Sequence, residues 1–371
     1  MRLIHRLVPL AALAVLAACA DQRSPTAPQT DLSANLRGRF DREITVMTRN
    51  MYIGTDVDAA MAAIAAGGDP TPGLLVALGT LQHTDFATRV KAIAAEIRRN
   101  HPDVVGLQEV YDLSVIPAGL GLPGDPIQIS FLPALQAALR ANGLHYEVAA
   151  KNTTTDAAIA GGAIHIVDHD VILVDPRSVR LEGRPIAAVY QAVIGPVPGV
   201  DGLSLLRGYT ARRANIDGVQ VLLVNTHLES GDDPQIAGLR MYQAMELAGF
   251  IGKTPRVILT GDFNDVAGSP MYGVLAGASL TDTWAALRPS DPGLSCCQAA
   301  DLSNTTSQLY QRIDIIWTRG FADRRGQVDG EIKLVSADPS AMVQGAFGLI
   351  WPSDHAGVAA EIDVPLPSIH H

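Results

Sequence analysis

The segment Arg256-Val257-Ile258-Leu259-Thr260-Gly261-Asp262-Phe263-Asn264 limits the fold more than any other part of the chain. An apolar, β-prone run stops at Thr260-Gly261, and two polar side chains follow with one aromatic between them. Side chains alternate along a strand, so Asp262 and Asn264 share one side at its end while Phe263 turns into the core. A carboxylate beside an amide there suits a polar reaction centre rather than a core. Four other strand ends repeat the pattern: Asn50, Glu109, Asn225-Thr226-His227 and Ser353-Asp354-His355. In Arg312-Ile313-Asp314-Ile315-Ile316-Trp317, Asp314 stands inside an otherwise apolar strand, where a carboxylate must be paired or ligated.

Between these ends, short apolar strands alternate with helices. Residues 43–48, 103–107, 146–150, 163–167, 170–174, 313–318 and 356–362 read as strands. Residues 209–216 and 219–225 read as a hairpin joined by Asp217-Gly218, a strong turn signal. Val90, Ile93, Ala94 and Ile97 recur at helical spacing within 86–100, and His101-Pro102 ends that helix. Helices are also expected over 129–142, over 235–252 and from Ser269-Pro270. Strand density without a regular strand–helix–strand repeat points to an α/β (α+β) sandwich of two sheets covered by helices. The span 43–365 reads as one domain, with Gly- and Pro-rich insertions at 60–80 and 111–128 and a tail at 366–371. A chain of 371 residues, 47% hydrophobic, suffices for such a core.

Residues 1–18 read as a signal segment: Arg2 and Arg6 precede an apolar stretch, 7–16, too short to span a bilayer permanently. Leu16-Ala17-Ala18-Cys19 resembles a bacterial lipobox, in which Cys19 becomes the lipidated first residue; an ordinary cleaved signal is the alternative. Residues 19–42 then form a disordered tether. The expected location is the bacterial cell envelope, with the chain held to a membrane by its N-terminal lipid. Removing 1–18 takes away two Arg and no acid, which brings the net charge from −10 to −12. Arg98-Arg99, Arg212-Arg213 and Arg324-Arg325 are isolated pairs, not the basic stripe of a tight duplex-DNA binder. Cys296 and Cys297, adjacent in an oxidising compartment, read as structural, bonded or packed, rather than catalytic.

The residue types at the strand ends constrain the chemistry. Mg²⁺ takes oxygen ligands, commonly one or two carboxylates plus substrate phosphate. Glu109 and Asp354, with Asn50 nearby, fit that demand, whereas a zinc site needs more His or Cys. Asp262 is suited to orient or deprotonate a water. Asn264 and His227 offer donors for charge that builds on non-bridging oxygens. A His355–Asp314 pair would hold an imidazole in one tautomer. Taken singly, Glu109 reads as a helix cap or solvated side chain, His227 as a hydrogen-bonded structural histidine and Arg312 as a salt-bridge partner. Six such segments in one order are not explained that way.

That ordered set, Asn50, Leu107-Gln108-Glu109, Asn225-Thr226-His227-Leu228, Gly261-Asp262-Phe263-Asn264, Arg312-Ile313-Asp314 and Ser353-Asp354-His355, resembles the endonuclease/exonuclease/phosphatase superfamily over roughly 43–365. The resemblance implies a four-layered α/β sandwich, two packed mixed β-sheets flanked by helices, and hydrolysis of phosphoester bonds with Mg²⁺, or Mn²⁺ in its place. It implies Asn50, Glu109 and Asp354 as metal residues, and catalytic roles for His227, Asp262, Asn264, Asp314 and His355. Asp170, in Asp168-His169-Asp170, is a looser match to a substrate-side polar residue. The expected reaction is direct in-line attack of water on a phosphodiester. A nuclease and a sphingomyelinase- or phospholipase-type lipid phosphodiesterase both remain open. The acidic charge counts against the first, and the lack of any segment that reads as an exposed aromatic hairpin counts against the second. A catalytically silent binding module on the same fold would require a lost ligand. No protein partner is implied.

Overall fold

Alternation along each strand sorts its side chains into different layers, and the layers define the molecule. The computed structural model describes residues 42–56, 68, 71–194 and 206–365. They form β1 (Glu43–Asn50), α1 (Thr71–His83), α2 (Phe86–Asn100), β2 (Val104–Gln108), β3 (Asp112–Val115), β4 (Ile127–Ser130) and α3 (Phe131–Ala141). There follow β5 (Glu147–Ile159), β6 (Ile164–Val174), β7 (Val179–Val189), β8 (Gly208–Ile216), β9 (Val219–His227), α4 (Pro234–Ile251) and β10 (Val257–Asp262). The last elements are α5 (Pro270–Gly277), β11 (Thr281–Asp282), α6 (Thr283–Leu287), β12 (Asp314–Arg319), β13 (Gly330–Val335), β14 (Val343–Gly345), β15 (Gly348–Ile350) and β16 (Gly357–Asp363).

One sheet runs β13-β16-β1-β2-β6-β3-β4, with β5 also paired to β6; the other runs β11-β12-β10-β9-β8-β7. Each is antiparallel except at its centre, where β1 lies parallel to β2 and β9 parallel to β10. Ile44 and Val46 of β1 face Leu223 of β9, Ile258 of β10 and Ile316 of β12 in the layer between the sheets. The next positions point the other way. Met47, Val105 and Leu173 pack under α2 and α3, while Val257, Leu259 and Trp317 pack under α4 and α5. The result is two mixed sheets with helices outside each, the four-layered α/β sandwich expected from the sequence.

Toward the C-terminal ends of the two parallel pairs the inter-sheet layer turns polar. Asn225 bridges the sheets there: its Oδ1 accepts from Gln108 Nε2 at 2.6 Å and Thr260 Oγ1 at 2.9 Å, and its Nδ2 donates to the Leu107 carbonyl at 2.8 Å. Gly106 permits this approach, because a Cβ at that position would sit 2.0 Å from Thr260 Oγ1. Asn225 therefore ties the two halves together beneath the site.

Several elements differ from the sequence reading. Residues 127–130 pair with β3, so the helix expected from 129 begins at Phe131. The strands read at 163–167 and 170–174 are one strand, β6, and the strand read at 146–150 continues to Ile159 beside it. The second half of the insertion read at 60–80 is helical, in a helix that runs from Thr71 to His83. Residues 1–41, which hold the signal segment, Cys19 and most of the tether, lie outside the described residues, as does the tail. No helix among the described residues is long and apolar enough to cross a membrane.

Candidate active site

Strand register alone sets three acid–base groups side by side. Asp262 ends β10, and it pairs with Asp314 across β12 and with His227 across β9. His355 enters from the segment before β16, and its Nδ1 lies 2.8 Å from Asp314 Oδ2. Its Nε2 lies 3.7 Å from Asp262 Oδ2. His227 Nε2 approaches the same oxygen at 3.5 Å. Asp262 thus faces two imidazoles. Burial lifts its carboxyl to about 7, with Asp314 adding repulsion against the pull of His355 and the hydrogen bonds of Asn50 and Asn264. Burial alone would discharge His355, but Asp314, Asp354 and Asp262 outweigh it and hold its pKa well above the ordinary imidazole value. His227 moves the opposite way: burial, Arg207 and His355 all keep it neutral.

Asn50 links this group to the other sheet. Its Nδ2 donates to Asp262 Oδ2 and to Glu109 Oε1, both at 3.0 Å, while its Oδ1 accepts from Tyr52 N at 2.9 Å. Glu109 lies just past β2 at φ 55°, and its other oxygen accepts from Ile53 N at 2.9 Å. Asn264 is also left-handed, at φ 50°; its backbone N–H donates to Asp262 Oδ1 at 3.0 Å, and its Nδ2 lies 3.0 Å from His227 Nε2. Such a backbone is uncommon outside glycine and turns each side chain off the strand line. Burial lifts Asp354 to about 6, and the neighbouring Glu109 contributes repulsion. All eight residues singled out in the sequence, Asn50, Glu109, His227, Asp262, Asn264, Asp314, Asp354 and His355, therefore meet where the two parallel pairs end.

The pattern describing the endonuclease/exonuclease/phosphatase family matches residues 76–355. The chain belongs to that family. Its fold is similar to that of an endonuclease/exonuclease/phosphatase from Beutenbergia cavernae, at 21% identity and TM-score 0.56, over 89% of this chain and 73% of that one. A family protein from Bacteroides thetaiotaomicron aligns at 16% identity and TM-score 0.55, over 89% and 98% of the two chains. D. rerio TDP2, solved with a single-strand DNA product, aligns at 16% and 0.50 over 87% and 100%. No curated protein matches the chain.

Endonuclease/exonuclease/phosphatase proteins typically use divalent metal ions, and the residues here fit one. Glu109 and Asp354 are hard oxygen donors, and the Glu109 repulsion that adds to burial in raising Asp354 marks negative charge that a cation would neutralise. Asn50 turns its Nδ2 toward the carboxylates and its Oδ1 toward Tyr52, so in this arrangement it braces Glu109 rather than offering it a second oxygen ligand. Asp262, Asp314 and His355 also present ligand atoms within 4.8 Å of one another, but the short His355–Asp314 bond makes them a hydrogen-bonded chain. A groove of about 970 Å³, lined among others by Leu81, Phe86, Val90, Ile129 and Ala138, contains none of these residues.

Other side chains border the site, and Arg207 among them carries no motif. Arg207, one residue before β8, contacts His227, Glu229 and Asp168. Asp170 is 1% exposed, and neither of its carboxylate oxygens has a hydrogen-bond partner. Arg312 pairs with Asp282 at 2.7 Å, the salt-bridge role read from the sequence. Cys296 and Cys297 are bonded to each other, and Cys297 Sγ lies 4.0 Å from His355 Nε2, so the pair borders the site. The hairpin β14–β15 exposes Phe347 (66%) and Leu349 (52%). It ends three residues before Ser353, which corrects the expectation that no such hairpin exists.

Proposed function

We propose that the chain is a phosphodiesterase that uses Mg²⁺, with Mn²⁺ as a substitute, and cleaves by direct in-line attack of water on phosphorus. The observation that carries this is Asp262: a carboxylate with a pKa near neutrality, bonded to Asn50 and facing both His227 and His355. Asp262 takes the proton from the attacking water. Asn264 and His227 present N–H groups to the phosphoryl oxygens as charge builds. His355, which Asp314 holds in orientation through Nδ1, directs its Nε2–H at the same region. When bound, a divalent cation held by Glu109 and Asp354 neutralises phosphate charge and polarises the P–O bond. His355 Nε2–H gives its proton to the leaving oxygen, so the products are a phosphomonoester and the released alcohol, with no covalent intermediate on the protein.

Lipid phosphodiester is the substrate class we favour over nucleic acid. Phe347 and Leu349 stand exposed on a hairpin leading into the catalytic segment, and the formal charge is −10 without a basic stripe. A lipobox at Cys19 would hold such an enzyme at the envelope membrane, in keeping with a domain spanning 43–365. The test is hydrolysis of bis-(p-nitrophenyl) phosphate, sphingomyelin vesicles and plasmid DNA, with Mg²⁺ and with EDTA. Metal-dependent turnover is expected, with kcat lowered about 10²–10⁴-fold in Glu109→Ala and His355→Ala. Preference for plasmid DNA would replace the lipid reading with a nuclease. A folded chain inert toward all three would support the silent binding module.

A further inference from the structure

The reaction proposed above gives no part to Arg207, which nevertheless occupies the back of the site. Its side chain is 14% exposed and fully tied down. Nε donates to Glu229 Oε1 at 3.3 Å, and NH2 donates to Ser230 Oγ at 3.5 Å. NH1 lies 3.9 Å from Asp168 Oδ2 and 3.0 Å from His227 Nδ1. A guanidinium has five N–H donors, no acceptor, and does not lose its charge. The ring nitrogen that faces it must therefore be the bare one. A neutral imidazole carries a single N–H, so the proton of His227 sits on Nε2.

The other side of the ring also faces a donor, and there the fixed charge of the guanidinium outranks a neutral amide in choosing which nitrogen stays bare. Nε2 faces Asp262 Oδ2 at 3.5 Å and the Asn264 amide nitrogen at 3.0 Å. One hydrogen of that amide goes to the Leu228 carbonyl at 3.0 Å. With the proton on Nε2, its nearest acceptor is Asp262 Oδ2, and the second amide hydrogen meets the Nε2–H as donor against donor, a conflict that an oxygen bound between them would relieve. Two converging donors want a shared oxygen, and on the reading above that is a non-bridging phosphoryl oxygen. We infer that Arg207 is a positioning residue that fixes His227 as the neutral Nε2–H tautomer, making it an oxyanion donor and excluding it as the acid that protonates the leaving group. An imidazolium there would turn an Nδ1–H against the guanidinium. Proton delivery to the leaving oxygen therefore does not pass through His227.

This inference rests on the phosphodiesterase reading only for what the donors bind, so it has a readout that does not need activity. NMR of the histidine ring nitrogens in the full chain, with the His227 signals assigned by their loss in His227→Gln, reports which nitrogen carries the proton. The expected pattern at neutral pH is protonated Nε2 and bare Nδ1. Arg207→Met, close in length but without a donor, should give mixed tautomers and a kcat about 10²-fold lower with KM less affected; Arg207→Lys should restore both in large part. An imidazolium or an Nδ1–H tautomer in the unsubstituted chain overturns the inference, and so does Arg207→Met with both tautomer and kcat unchanged. If Arg207→Met does not fold, the spectra of the unsubstituted chain and of Arg207→Lys still decide. A chain with the Nε2–H tautomer but no phosphodiesterase activity would sink the function proposed above and leave the tautomer assignment standing.

Discussion

Replacing Arg49 by Met removes the cation from an ion pair that water does not reach. The Arg49 and Glu96 side chains are 0% and 1% exposed. Nε donates to one Glu96 oxygen at 3.1 Å and NH2 to the other at 3.3 Å, while NH1 donates to the His355 carbonyl. Met fills much of the same volume, so the cavity left is small. The loss comes from the Glu96 carboxylate, which keeps one hydroxyl donor, Ser336 Oγ at 2.5 Å, and no cation. Removing one member of a buried pair costs about 3–5 kcal/mol, because the survivor stays desolvated without its partner. In a domain of this size that lowers the thermal midpoint on the order of 10 °C. Urea unfolding of Arg49→Met, Glu96→Gln and the double variant measures it. The double variant, with neither charge, should recover at least half of what Arg49→Met loses. An Arg49→Met loss below about 1 kcal/mol, or a double variant no better than the single one, would refute the argument.

Other expectations are more direct. Asp262, raised to about 7, is protonated and inactive as a base in acid, so the rate should climb as pH rises through about 7. His355, held well above its ordinary value, should set a fall on the alkaline side; a profile flat from acid to neutral would remove Asp262 as the base. For stability the sign reverses. A carboxyl raised above its unfolded value of 3.8 destabilises the fold increasingly as pH rises from about 4 to about 7, so Asp262→Asn should gain stability over that window while losing activity. Thermal unfolding at both ends of the window checks this, and an unchanged difference would sink it. Gly106→Ala should lose about 1–3 kcal/mol or more in urea unfolding, since its Cβ would press on Thr260 Oγ1 and on Asn225 Oδ1, at 2.0 and 2.5 Å. A neutral outcome would mean that the sheets do not meet this closely.

What could be read in advance follows from how locally each feature is encoded. β10 announces itself because three consecutive large apolar residues stop at a Thr-Gly step, and the polar residues after it keep the same alternation. The candidate site segments are short runs at such strand ends, so their order along the chain survives the folding that brings them together. β7 was invisible because its centre carries Glu182-Gly183-Arg184-Pro185, the charges and proline of an edge strand, and its register slips there. In β5, Thr153, Asp156 and other polar residues face outward along a strand that shifts register twice. The helix α1 was masked by Pro72, Gly73 and Gly79, of which the proline is tolerated in the first turn. Arg207 could not be found at all. Its meaning lies in the nitrogen it touches, twenty residues away across two strands, and nothing in its own neighbours marks that contact.

Because β1 takes β16 as its neighbour, the order of synthesis bears on when the protein can act. Arg49 must await a carbonyl 306 residues downstream, an interval of roughly 15–60 s at ordinary translation rates. Throughout it, a growing chain holds Glu109, His227 and Asp262 in succession but lacks His355, and the β1 edge lies uncovered. Hydrolytic competence therefore arrives late and all at once, with residues 353–363, so that a chain interrupted before them would carry nearly the whole scaffold and none of the chemistry. Stalled chains ending before and after that stretch would show it as silence followed by full turnover.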